Sequence, residues 1–167
     1  SAVAAEVLFG GLFKPGEVQQ LDLTAVQSSE RLIAGQLDAV FFLSGIPTSG
    51  VHRATQAGAR ILPIRGTAID RLRANYPFLR SDIIPGGMYP GHPAPIHTLS
   101  VDVVLLARAG LDEALVRRLT SGLFHVLPRL SARLDFLRGM VTERAPATPV
   151  PLHRGAALFY REKELSQ

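Results

Sequence analysis

The chain contains no cysteine. Disulfide staples, thiol chemistry and cysteine-ligated metals are therefore excluded, and the chain suits an oxidising or a reducing compartment equally well. Lysine is nearly as scarce: of the 18 basic residues 16 are arginine, scattered along the sequence, and the net charge is only +4. Arginine in such excess reflects codon composition more readily than a nucleic-acid surface. The nearest basic cluster, Arg117-Arg118, reads as the wet face of a helix, and no basic stripe is interleaved with aromatics, so no nucleic-acid partner is expected. There is no long hydrophobic run either. The longest uncharged stretch, residues 83–101, is broken by several prolines and glycines and does not make a membrane helix. No signal peptide is read at the start, and Ser1 reads as a mature or trimmed beginning. No internal repeat is present.

What the chain has is the composition of a packed globular protein. Its 167 residues are 47% hydrophobic and 19% charged, enough for one full domain or part of a two-lobed one, and disorder is not expected over most of it.

Alternating elements follow one another with short connections. Residues 2–9 read as a helix ended by Gly10-Gly11, and residues 18–23 as a short strand. Ser28 or Ser29 caps the next helix, with Thr24-x-x-Gln27 as a rival capping box, and Gly35 is its left-handed stop. A strand is expected at 38–43, a helix from Pro47 to about Gln56 stopped by Gly58, and a strand at 60–64. A helix then starts at Thr67, with Asp70 three residues on and Ile69 and Leu72 inward, and must end before Pro77. Strand, helix, strand, helix in this order imply right-handed crossovers and a parallel sheet. The rhythm changes at 85–96, which is too rich in proline and glycine for a regular element. Residues 96–107 read as a longer strand. A long amphipathic helix follows, with Leu111, Leu115, Leu119, Leu123, Val126 and Leu127 on one face, broken or kinked by Pro128, and a second helical piece runs to about Leu137. Residues 145–151 form a stiff extended connector, and 155–164 a final helix.

The chain is organised around residues 37–50. A Val- and Phe-rich apolar run between Gly35 and Gly45 reads as a strand buried on both faces. Ser44 and Gly45 then make a tight turn, and Pro47 takes the first position of a helix. A strand, a small-residue turn and a helix N-terminus place unpaired amides where open α/β sheets hold ligands. The plain alternative is a βα connection that binds nothing.

Several separated pieces resemble one family. They are Leu32-Ile33-Ala34-Gly35-Gln36-Leu37-Asp38-Ala39-Val40-Phe41-Phe42 with Gly45 and Pro47, then Ile61-Leu62-Pro63-Ile64, then Ile84-Pro85 with Tyr89 and Gly91. Thr98 and the closing Pro149-Val150-Pro151-Leu152-His153-x-Gly155-Ala156-x-x-x-Tyr160 complete the set. In order and spacing they resemble the solute receptors of TAXI-type TRAP transporters, which share the type II periplasmic-binding-protein fold. The resemblance implies an α/β periplasmic-binding-protein-like lobe with a mainly parallel sheet and flanking helices, plus a returning strand and C-terminal helices. It divides the chain into residues 1–84, a second lobe lacking its first strand; 85–97, a crossing between lobes; and 98–167, a strand and helices that pack on an absent first lobe. On that reading the chain alone binds solute weakly or not at all.

The resemblance also implies a non-catalytic, extracytoplasmic or periplasmic receptor that passes a small organic anion, such as glutamate or a related carboxylate, to membrane transporter subunits. A homodimer would cover an exposed sheet edge. Ser44, Gly45, Pro47 and Thr48 fall in the family's cleft-facing loop, where hydroxyls and helix-start amides suit a carboxylate; the alternative is a serine that only caps the helix. Tyr89 and Thr98 match positions near the cleft, Tyr89 either bonding solute or packing at the hinge. Arg65 ends the strand at 60–64, where its guanidinium either forks onto a carboxylate or stays solvated. His92 stands where relatives usually carry a glutamine or similar polar residue, a change that would alter solute choice, and His153 secures the last helix.

No cofactor is expected, and enzyme readings fail. Ser44 lacks the G-x-S-x-G elbow. His92 and His97 have no neighbouring carboxylate for a metal site. Gly86-Gly87-x-x-x-Gly91 does not sit between a strand and a helix, and Asp102 has no partner carboxylate nearby in the sequence. Two rivals remain on the sequence: a sensory or effector-binding module of the same fold, and a structural lobe that binds no solute.

Overall fold

Thr24 opens the first helix among the described residues. Its hydroxyl accepts the Gln27 amide while the Gln27 side chain accepts the Thr24 amide at 3.1 Å, so two donors at the helix start are satisfied reciprocally. The capping box thus prevails over Ser28 and Ser29 and sets α1 at Ala25–Ile33. Ser29 lies inside the helix, buried, with its hydroxyl donating to the Val26 carbonyl at 2.9 Å. Gly35, at φ +69°, is the left-handed stop. The computed structural model describes residues 16–134, 137 and 142–165; the helix expected at 2–9 lies outside them. The chain divides into two compact units, residues 1–101 and 102–167.

In the first unit α2 spans Ser49–Gln56 and packs on α1. Its N-cap is Thr48, whose backbone is extended at φ −116°, ψ 137°. Pro47 therefore stands before the cap, through a cis Ile46–Pro47 bond, and not in the first helical turn as expected. Gly58 at φ +97° ends the α2 region. α3, Thr67–Asn75, starts and stops as its residues predict, with Gly66 as N-cap and Asp70 beside Arg73 at 3.7 Å.

The fold is mixed α/β, but the parallel sheet is not what the described residues contain. Their sheet is two-stranded and antiparallel: β1, Arg80–Ile84, pairs with β2, Ile96–Ser100, with Asp82 opposite Thr98 and Ile84 opposite Ile96. Residues 18–23, 38–43 and 60–64 are not strands. A strand needs a partner, and the 60–64 segment makes one main-chain bond to the sheet, Ile64 N–H to the His97 carbonyl at 2.9 Å. β2 stops at Ser100, seven residues short of the expected end, because its partner begins at Arg80 after the turn through Pro77. Beyond it Val103 is 97% exposed. The core of this unit is Ile84, Tyr89 and Ile96, with Ile46, Val51, Ile61 and Met88 packed around them.

Among the described residues the second unit is built on two packed α-helices, with a 3-10 turn at Thr142–Arg144 between them in sequence. α4, Glu113–Ser131, is capped by the Asp112 carboxylate, which accepts the Leu115 amide at 2.8 Å. Pro128 does not break it. The proline falls in the last turn, and the helix continues for three residues; the helical piece expected to reach Leu137 runs partly outside the described residues. α5, Arg154–Glu164, docks on the face carrying Val116 and Phe124. Phe124, Phe159 and Tyr160 stack with centroids 5.0–5.7 Å apart, and burial raises the Tyr160 phenol pKa. The leucine stripe predicted as the inner face is mostly exposed, Leu119 at 53%, and only Leu127 of it is buried with Val116. Residues 145–151 carry turns as well as extended chain, the Ala147 amide closing onto the Arg144 carbonyl at 2.9 Å. No helix among the described residues is long and apolar enough to cross a membrane.

Candidate functional site

The turn at 44–48 is pinned by one side chain from far along the sequence. The Thr48 amide donates to the Tyr89 hydroxyl at 3.0 Å, and Ile46 packs against the cluster that holds the Tyr89 ring. Tyr89 itself is 2% exposed. Burial pushes its phenol pKa up, and the Thr48 amide partly opposes that by favouring the oxygen's negative charge. The bond to Thr48 uses a lone pair on the phenolic oxygen, so the hydroxyl hydrogen remains a donor.

Around this anchor the turn stays open. Ser44, Gly45 and Pro47 are exposed and Thr48 is half-buried. Neither hydroxyl is consumed in capping, since Thr48 is the N-cap and its side chain makes no cap bond. The amides of Ser49, Gly50 and Val51 belong to the first turn of α2, where no intrahelical acceptor exists for them. Gly50 is buried under Phe42, whose ring lies 3.0 Å from where a Cβ would be. Its backbone is therefore held from behind by the apolar run that leads into the turn.

The structure brings Thr48 and Tyr89 into direct contact, and places Arg65 and Thr98 elsewhere in the same unit. Arg65 follows Ile64 and Thr98 follows His97, two residues joined by a main-chain bond. Arg65 is exposed and Thr98 half-buried. Among the described residues no hydrogen bond joins either to the 44–48 turn.

His92 is held by main chain on both ring nitrogens. Its Nε2 accepts the Ile61 amide at 3.0 Å and its Nδ1 lies 2.9 Å from the Pro90 carbonyl. Because Nε2 accepts, Nδ1 carries the hydrogen and donates to Pro90. Both ring nitrogens are thus taken by main chain, and the imidazole fastens the 60–64 segment to the 85–95 loop. His92→Ala is expected to lower stability by about 1–3 kcal/mol, because it strands a half-buried donor and acceptor together. His92→Gln, which keeps one donor and one acceptor, is expected to lose less; urea unfolding of the three proteins compares them. His153 caps α5, its Nδ1 accepting the Gly155 amide at 3.1 Å. No cluster of three or more metal-binding side chains occurs among the described residues.

The sequence offered no local sign of the Tyr89 and His92 bonds, which span 41 and 31 residues. β1 was also missed, because Arg80-Ser81-Asp82 is polar and only Ile83 and Ile84 look strand-like.

The family model described as NMT1-like matches residues 3–163. The chain belongs to the NMT1-like family, a periplasmic-binding-protein-like family of binding proteins and not of enzymes.

Proposed function

We propose that this chain is the extracytoplasmic solute-binding subunit of a TRAP-type transporter of the TAXI class, and that it takes a small organic anion, an amino acid or carboxylate such as glutamate. In this reading the solute sits in an interlobe cleft, with residues 85–97 as the crossing and the helices of 98–167 packing on the other lobe. The observation that carries it is the exposed Ser44-Gly45 turn, which runs into an α2 start whose N-cap hydroxyl is unused and whose position Tyr89 holds.

A carboxylate there meets the Ser44 and Thr48 hydroxyls and the amides opening α2, which stabilise negative charge without a full counter-ion. Tyr89, being buried, positions the turn. Thr98 and Arg65 border the same unit, and Arg65 supplies a cation if closure brings it over the solute. Closure of the lobes then presents a surface to the membrane subunits, and a homodimer covers the open sheet edge.

Calorimetry on the full-length protein tests this, using glutamate, related dicarboxylates and keto acids against their neutral amides. Saturable binding of one or more acids is expected, with the matching amide bound far more weakly. Ser44→Ala combined with Thr48→Val is expected to weaken the acid about tenfold, the worth of one or two charge-assisted hydrogen bonds. Equal affinity for acid and amide, or an unchanged affinity in the double variant, overturns the assignment of this turn.

A further inference from the structure

Gly122 sits in the interior of α4, where glycine costs about 1 kcal/mol of helix stability relative to alanine. Close backbone approach does not explain it, since an added Cβ there would meet nothing within 4 Å. The missing side chain instead leaves open a groove of about 610 Å³ between α4 and α5. Such a volume falls in the range of small-molecule sites.

The groove is ringed by basic side chains. Arg118 and His125 stand four residues before and three after Gly122, on its own face of the helix. Lys163 comes from α5, and Phe159 forms an apolar wall. Arg117, also at the groove, is bound through two nitrogens by Glu162, the closest contact being 2.8 Å. That pair occupies the carboxylate among the lining residues. Arg118 has no hydrogen bond or ion pair with any described residue, and the Lys163 ammonium rests 4.4 Å from the Phe124 ring centroid. Of the three formal cations in the lining, Arg117 is neutralised by Glu162, which leaves Arg118 and Lys163 facing the groove. Lys163 also lies close enough to the Glu143 carboxylate to help lower its pKa.

We propose that this groove binds a phosphate group, as inorganic phosphate or on a small phosphorylated molecule, with Arg118, Lys163 and His125 as its hydrogen-bond donors. A tetrahedral oxyanion presents acceptors toward both helices at once, whereas a planar carboxylate offers two oxygens in one plane. The glycine then has a reason: it exchanges helix propensity for room beside the donors. The site lies wholly in the second unit and does not depend on the 44–48 turn.

The test is titration of the full chain with inorganic phosphate at constant ionic strength, followed by the NMR resonances of the His125 ring. A saturable shift is expected. Arg118→Gln is expected to weaken it about tenfold, and Gly122→Leu, whose side chain enters open space, to abolish it while circular dichroism stays helical. If Gly122→Leu loses its helical signal, Lys163→Met takes its place, with the same tenfold loss expected. Absence of a saturable shift, or an equal shift in the variants, overturns the proposal. So does co-sedimentation with phosphatidylglycerol vesicles without any response to soluble phosphate, which would indicate a membrane surface as the source of the anion.

Discussion

Gly155→Ala is expected to destabilise the second unit by about 3 kcal/mol, the scale of an overpacking that the backbone cannot relieve. A Cβ at this position would run into the Glu113 carbonyl oxygen, with the Arg117 amide nitrogen at 2.9 Å and the Val116 Cβ at 3.0 Å. The first two are main-chain atoms in the first turns of α4, so no side-chain rotation makes room. α5 would have to back away, and everything beyond that point would loosen with it. The Phe124–Phe159 stacking at 5.0 Å and the forked Arg117–Glu162 pair at 2.8 Å both depend on the present spacing. The pair itself is exposed and worth little, so the loss comes from the aromatic contacts and from the clash. What makes the experiment decisive is its sign. Glycine to alanine inside an unobstructed helix stabilises by about 1 kcal/mol, and Gly122→Ala in α4 supplies that control, because nothing lies within 4 Å of its Cβ. Chemical unfolding followed by helical circular dichroism is expected to move in opposite directions for the two variants. If both stabilise, α5 does not dock where Gly155 places it.

The same residue shows why the helix faces could not be read from hydrophobicity alone. α4 carries more leucine on the 115–119–123 stripe than on the 116–120–124 face, and pattern reading selects the former. The docked face is decided by where a side chain is missing on the partner helix, and a glycine carries no hydrophobic signal. Features closed by short-range bonds were legible. The Thr24-x-x-Gln27 box, a rival to the expected Ser28 or Ser29 cap, closes over three residues, Gly35 and Gly58 stop their helices by conformation, and His153 caps α5 over two. Strands were not. Residues 38–43 have the composition of a buried strand yet are not one, whereas the polar β1 is a strand because β2 pairs with it. The candidate site divides the same way. The exposed Ser44-Gly45 turn is written in local residue types, while the roles of Tyr89 and His92 exist only once distant segments meet.

Tyr89→Ala is expected to cost about 3–5 kcal/mol, the usual loss when a large aromatic is deleted from a core. The first unit has little to absorb it, since Ile84 and Ile96 are the other buried members of the cluster. Tyr89→Phe separates packing from hydrogen bonding. The ring stays, the Thr48 amide loses its acceptor, and a loss of about 1–3 kcal/mol is expected. The phenol also sets an alkaline limit. Burial raises its pKa above the ordinary 10.0, so the fold favours the neutral form. That contribution is whole below pH 10 and is lost as pH rises through the raised value, when the unfolded phenol ionises first. Tyr89→Phe is expected to remove this part of the alkaline instability and to leave the part due to Tyr160, whose pKa burial also raises. Solute affinity at the 44–48 turn is expected to fall with Tyr89→Phe even under conditions where the protein remains folded, because the freed Thr48 amide no longer fixes the start of α2. An affinity unchanged while stability drops would make Tyr89 a core residue without influence on the turn.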